Sequence, residues 1–332
     1  MNHYFSDNCL YTDFSISNTD CGIAYKSGVC ESADQNSAYL LEEYDKEIGY
    51  FQTRTGRDRS FSTLKKHESV RKHLESFILK TTGQKDILFA DLDENFINGF
   101  CKYITEDCGL SQSTAWVYQI PLKHLAAVAL SRGLIKSNPF AMFHISPDVK
   151  ERSFLTESEL RKMMDISLKG RVINLARDLF VLSCWTGLSF VDMKNLTKDR
   201  LVEHKNELWI VSRRKKTNKP FQTKVLEPAA DIIKKYRKKN KGSYCFKIGC
   251  YNYLNTKLKE IAKLCGINKR LSFHCARHTF ATMAINNGMS IESVSQILGH
   301  SSIKTTQIYT RITVSKLDSD FAVFKDNIKA FF

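Results

Sequence analysis

No stretch of this 332-residue sequence approaches the run of about 18 apolar residues that a membrane-spanning helix requires. The first twenty residues lack a basic start followed by an apolar stretch, which gives export no support and leaves the cytoplasm as the expected location. None of the ten cysteines falls in a C-x-x-C pair and no pair is followed by spaced histidines, so neither a zinc site nor any other metal is expected. In a chain without an export signal they read as reduced thiols, and Cys184, Cys265 and Cys275 sit in apolar or helical stretches where a thiol serves as a small hydrophobe. There is no internal repeat. Acidic charge is the last shortage: 35 Asp plus Glu against 50 Lys plus Arg leave a net charge of +15.

That deficit is uneven. Residues 1–55 carry −6, residues 56–150 carry +3 and residues 151–332 carry +18. The last segment is therefore where a polyanion is expected to bind. Basic balance alone also fits a solvated surface without a partner.

The length suggests two domains with a short extra segment. Residues 1–55 are acidic, and up to residue 45 weakly periodic and rich in Asn and Ser, which reads as a partly disordered appendage. From Phe61 the pattern turns helical, with Leu64, Val70, Leu74, Phe77 and Ile78 at one-face spacings. Phe96 to Ile104 and Ser113 to Ser131 follow, and Pro121 is expected to kink the latter or divide it into two helices. About four helices over 56–145 make a small bundle closed by Asn138-Pro139, with Phe143 to Arg152 as linker. A second domain over 146–315 opens on the capping box Thr156-Glu157-Ser158-Glu159 and contains a deeply buried helix ending at Thr186-Gly187. A β signal is expected between Leu208 and Val225 alone, as a hairpin with a basic tip. Residues 316–332 form an apolar tail. The fold class is mainly α with a small β-hairpin or sheet: a helical bundle followed by an α+β domain.

Four polar clusters in the basic half could carry chemistry. On a helix, His274 and Arg277 share one face and can meet one anion, an Arg fork suiting phosphate and a His moving a proton near neutral pH. His300 follows Gly299 at a helix junction, near backbone donors that favour an anion. Tyr309 carries a phenol whose ordinary pKa near 10 means that attack on phosphorus needs help with its proton and a cationic cradle. The run Arg213 to Lys219 lies at the hairpin tip, where a Lys can be set into a groove as a proton donor. Singly, each cluster has an ordinary structural explanation.

In the order Lys216, His274-x-x-Arg277, His300, Tyr309, together with Asn138-Pro139-Phe140, Phe154-Leu155-Thr156, Thr186-Gly187-Leu188 and Leu298-Gly299-His300, the sequence resembles the tyrosine recombinase (phage-type integrase) family over roughly residues 60–315. The resemblance implies a SAM-like helical core-binding bundle and a tyrosine-recombinase catalytic domain, clamping DNA from two faces. It implies an enzyme that cuts and rejoins DNA at paired duplex recombination sites: an integrase or invertase of a mobile genetic element, acting as a homotetramer with accessory DNA-bending or excision factors. Tyr309 would attack the scissile phosphate, Arg277 bind its non-bridging oxygens, Lys216 protonate the leaving 5′-oxygen, His274 take the phenolic proton and His300 hydrogen-bond the phosphate. No metal or nucleotide is implied.

There is one departure. Where most of the family carries a first catalytic Arg, this chain has Ser189, as in a branch that includes integrases of conjugative and mobilisable transposons. Losing one charged phosphate donor costs about 3–4 kcal/mol of transition-state stabilisation by analogy with an oxyanion donor, so a substitute is expected. Arg177, on the buried helix, and Arg214, beside Lys216, are the two candidates. Ser189 also leaves open a non-catalytic DNA-binding relic acting as a regulator. A monomeric topoisomerase of related chemistry is the third reading, against which the helical N-terminal block and the short length argue.

Overall fold

The computed structural model describes residues 38–148, 153–215, 217–300, 302–309, 321–326 and 329, in two units divided between residues 150 and 151. In the N-terminal unit, four helices share one core: α1 (Leu40–Arg54), α2 (Phe61–Thr82), α3 (Glu94–Lys102) and α4 (Gln112–Ser131). Ser60, Asp93 and Ser111 cap α2, α3 and α4 by accepting the orphan backbone donors of the first turn. Two expectations change here. Helix α1 lies inside the stretch read as a partly disordered segment, yet its one-face spacing buries Leu40, Leu41, Tyr44, Ile48 and Phe51. It is the fourth helix of the bundle and begins before the expected boundary at residue 56. Pro121 does not divide α4, which runs through it with Pro121 itself buried.

The C-terminal unit is built around α6 (Arg171–Thr186), against which α5 (Glu157–Asp165), α8 (Glu227–Lys239), α9 (Tyr251–Leu264) and α10 (Phe273–Asn286) all pack. Residues 178–184 of α6 are buried without a break, so this helix has no solvent face over those seven residues. The capping box of Thr156 and Glu159 starts α5 as expected. The short helix α7 (Phe190–Lys194) leads to an antiparallel sheet of β1 (Leu201–His204), β2 (Glu207–Arg213) and β3 (Pro220–Lys224), in that order. Strand β1 went unforeseen because it is four residues long and largely exposed. It is defined by pairing with β2 (Leu201 opposite Ile210) through a two-residue turn in which Lys205 and Asn206 both take positive φ, 51° and 64°. Helices α11 (Ile291–Leu298) and α12 (Lys304–Gln307) complete the unit, with Phe280, Ala281, Ile285, Val294 and Leu298 gathered around Tyr309. In the tail, Phe321, Val323 and Phe324 are exposed, whereas Val314, Leu317, Ile328, Phe331 and Phe332 lie outside the described residues, as does part of the linker, 149–152.

Candidate active site

The site forms where three chain reversals meet. Helix α6 ends at Gly187, whose φ of +67° caps the helix in the left-handed region. An added Cβ there would stand 2.7 Å from the Phe280 ring, so glycine also admits α10 to close approach. Two residues on, Ser189 is the N-cap of α7: its Oγ accepts from the Asp192 amide and donates to Asp192 Oδ2 at 2.7 Å. The hydroxyl at the departing position thus serves as a cap and a carboxylate anchor.

Asp192 in turn binds Arg214, which enters from the end of β2. Arg214 Nη1 reaches Asp192 Oδ2 at 2.5 Å, and the Lys215 amide donates to Oδ1 at 3.0 Å. The Arg214 guanidinium lies 3.7 Å over the Phe221 ring and donates through Nη2 to the Ile297 carbonyl. It passes so close to Gly299 that an added Cβ would meet its Cγ at 2.8 Å. Burial pushes the Asp192 carboxyl up, but the Arg214 charge and the donors around it hold it below the ordinary carboxylate range. Arg214 is itself lowered by burial, against the pull of Asp192.

Arg277 lies on α10 and donates to the Gly187 carbonyl at 2.7 Å and to the Leu298 carbonyl. Arg214 and Arg277 therefore hold consecutive carbonyls at the end of α11, where unpaired acceptors and the helix dipole both favour cations. Burial, together with the neighbouring Arg214 charge, lowers the Arg277 guanidinium to about 10, while Tyr309 and Asp192 oppose the shift. Two guanidiniums so held form a concentrated positive site suited to a phosphate.

Tyr309 sits just past α12, 8% exposed, and its Oη lies 2.6 Å from His278 Nδ1. His278 follows Arg277 directly and is one helical turn from the exposed His274, whose ring stands edge-on to it at 4.2 Å. His300, half-buried after Gly299, pairs through Nδ1 with Thr306 Oγ1 at 2.8 Å, on the helix that leads to Tyr309.

Of the residues expected at one phosphate, Arg277, His274, His300, Tyr309 and Arg214 thus lie in one neighbourhood, and Lys216 lies outside the described residues. Arg177 does not join them. Its Nε and Nη1 bind Asp178 and the Ile166 carbonyl at 2.8 Å, and Asp178 is further held by Lys235 and Tyr236. Ten residues along α6 put it about 15 Å from Gly187. Sequence neighbours on a helix do not face each other well, and this pair forms because the buried carboxylate collects several donors at once. Sequence reasoning missed His278, for which its place one turn after His274 is the available signal.

The sequence matches the description of the phage integrase family over residues 153–316 and that of the phage integrase SAM-like domain over residues 46–145. Among curated relatives, a tyrosine recombinase of Pseudothermotoga lettingae is 29% identical over 176 residues, half of this chain and 59% of that protein. Tyrosine recombinase XerD of Listeria monocytogenes is 46% identical over 67 residues, 20% of this chain and 23% of that one. The matched part therefore spans less than two thirds of either relative. Among solved structures, the Tn1549 transposon integrase in complex with transposon right end DNA superposes with a TM-score of 0.70 at 18% identity, covering 87% of this chain and 99% of that one. A lambda integrase dimer bound to a COC′ core site gives 0.66 at 18% identity, covering 83% and 78%. At such identities the likeness is one of fold.

Proposed function

This chain belongs to the phage integrase family, and we propose that it is a site-specific recombinase that cuts and rejoins duplex DNA through a 3′-phosphotyrosyl link at Tyr309. The observation that carries the reading is the Tyr309 phenol, hydrogen-bonded to an imidazole and beside the paired guanidiniums of Arg277 and Arg214. In the proposed reaction Tyr309 Oη attacks phosphorus and the bond to the 5′-oxygen breaks, freeing a 5′-hydroxyl. Arg277 and Arg214 neutralise the extra charge on the non-bridging oxygens, with Arg214 standing in for the arginine that Ser189 replaces. His300 adds a hydrogen bond to the phosphate, His274 stands at the rim for proton transfer, and Lys216 protonates the departing oxygen. The energy of the broken ester is kept in the phosphotyrosine, so rejoining needs neither metal nor nucleotide.

The charge of +18 over residues 151–332 supports a polyanionic partner. We propose double-stranded recombination sites of a mobile element, synapsed in the cytoplasm by four protomers with accessory DNA-bending or excision factors. The arrangement of Arg214 removes the reason for preferring a non-catalytic relic, because the departure at Ser189 is then compensated. The test is covalent capture. Randomised nicked duplexes are incubated with the chain, and DNA that stays attached in hot detergent is recovered and sequenced. The expected result is a recurrent sequence with the wild-type chain and none with Tyr309→Phe; adducts that persist in Tyr309→Phe would overturn the assignment.

A further inference from the structure

We propose that His278, rather than the exposed His274, receives the phenolic proton of Tyr309; the proposal rests on the strand-transfer reading above. The first reason is contact: Nδ1 of His278 lies 2.6 Å from Tyr309 Oη, within the reach a proton acceptor needs. The second is burial. His278 is 2% exposed, and Tyr309, 8% exposed, is packed among Phe280, Ile285, Val294 and Leu298. A proton leaving that oxygen therefore passes to a protein group before it meets bulk water.

The third reason is the helix itself. Arg277 and His278 are consecutive on α10, so one element brings both a cation and a proton acceptor to the same phenol. The charge of Tyr309 acts on Arg277 in the sense expected of a phenolate beside a guanidinium. The role uses the tautomer of His278 that carries its proton on Nε2, leaving Nδ1 to accept. His274, edge-on at 4.2 Å and exposed, then lies on the side from which the proton is returned to solvent. In the step, the Oη–P bond forms, the bond from phosphorus to the 5′-oxygen breaks with its electron pair going to oxygen, the phenolic proton moves to His278 Nδ1, and Lys216 supplies a proton to the leaving oxygen.

Two measurements test this, the first without DNA. With imidazole nitrogens labelled with ¹⁵N, the Nδ1 resonance of His278 is expected to move in Tyr309→Phe; a resonance blind to that change overturns the pairing. The second is single-turnover adduct formation on the duplex recovered by covalent capture. His278→Ala is expected to slow it by about 10²–10⁴-fold, with part of the rate restored by imidazole in the buffer. His278→Asn keeps an acceptor near the phenol but cannot take up a proton; it is expected to fold, bind the duplex and remain slow. His274→Ala is expected to lose less than about tenfold. Wild-type rates in His278→Asn, or imidazole rescue confined to His274→Ala, would overturn the proposal. A wild-type chain that shows the nitrogen shift but forms no adduct would defeat the strand-transfer reading and leave the pairing standing.

Discussion

The Arg214 guanidinium meets the Asp192 carboxylate at 2.5 Å in a place where the two side chains are 5% and 6% exposed. The same carboxylate accepts from Ser189 Oγ, so the residue at the position of the departure and the arginine proposed to compensate for it share one anion. A buried ion pair of this kind adds little stability by itself, but breaking it leaves a charge stranded. Arg214→Ala is therefore expected to cost about 3–5 kcal/mol of stability by urea denaturation and to lower adduct formation by about 10²–10³-fold. Combining it with Asp192→Asn should restore much of the stability and none of the cleavage. Arg177→Ala should leave the cleavage rate unchanged, since its partners belong to the α5–α6–α8 network. An Arg214→Ala chain that cuts like wild type would remove Arg214 from the site.

Gly299 gives a second handle on the same arginine. It combines φ of +65° with a gap that an added Cβ would close to 2.8 Å from Arg214 Cγ and 3.0 Å from Nε. Gly299→Ala should cost about 1–2 kcal/mol for the left-handed backbone alone. By displacing Arg214 it should also reduce cleavage in the same direction as Arg214→Ala. A variant that loses stability while keeping its full cleavage rate would show that Arg214 is not displaced.

Acid sensitivity should arise in the N-terminal unit. His67 is buried beside Tyr44 and Phe51, and burial, with the adjacent Lys66 charge, lowers its pKa to about 4. The folded pKa lies below the unfolded value of about 6.5, so the unfolded chain binds more protons between the two. Stability from this residue is complete above about pH 6.5 and declines as the pH falls towards 4, by about 3 kcal/mol. Hydrogen exchange of the α2 amides at pH 7 and pH 4.5 should show the decline in wild type and a smaller one in His67→Gln. Equal declines in both would contradict it.

The proposed acid is separable from the proposed base by leaving-group chemistry. A sulfur in place of the bridging 5′-oxygen leaves without a proton. Lys216→Ala should thus be slow on the ordinary duplex, by about 10²–10⁴-fold, and close to wild type on the sulfur-bridged one. His278→Ala should remain slow on both. If sulfur fails to rescue Lys216→Ala, Lys216 is not the acid.

Much of this was legible along the chain. The apolar spacing of α2, the capping box of α5 and the glycine that ends α6 are local signals, and they mark those elements. Helix α1 carried the same spacing, obscured by the Glu and Asp of its outer face; packing against α2 is what makes it a helix. Strand β1 is too short and too exposed to announce itself, and exists through its partner β2.

By itself the sequence supplied the order Lys216, His274, Arg277, His300 and Tyr309, and it was the resemblance of that order to a family, not any single local signal, that marked these residues as candidates. Tertiary structure alone placed Arg214, and not Arg177, beside Arg277, and brought His278 to the phenol. Those outcomes depend on where a buried donor finds its acceptor. Arg214 finds Asp192 22 positions back and the Ile297 carbonyl 83 positions on, and His278 finds Tyr309 31 positions on. Burial makes such a polar group take whichever partner the fold delivers, and local periodicity does not encode that delivery.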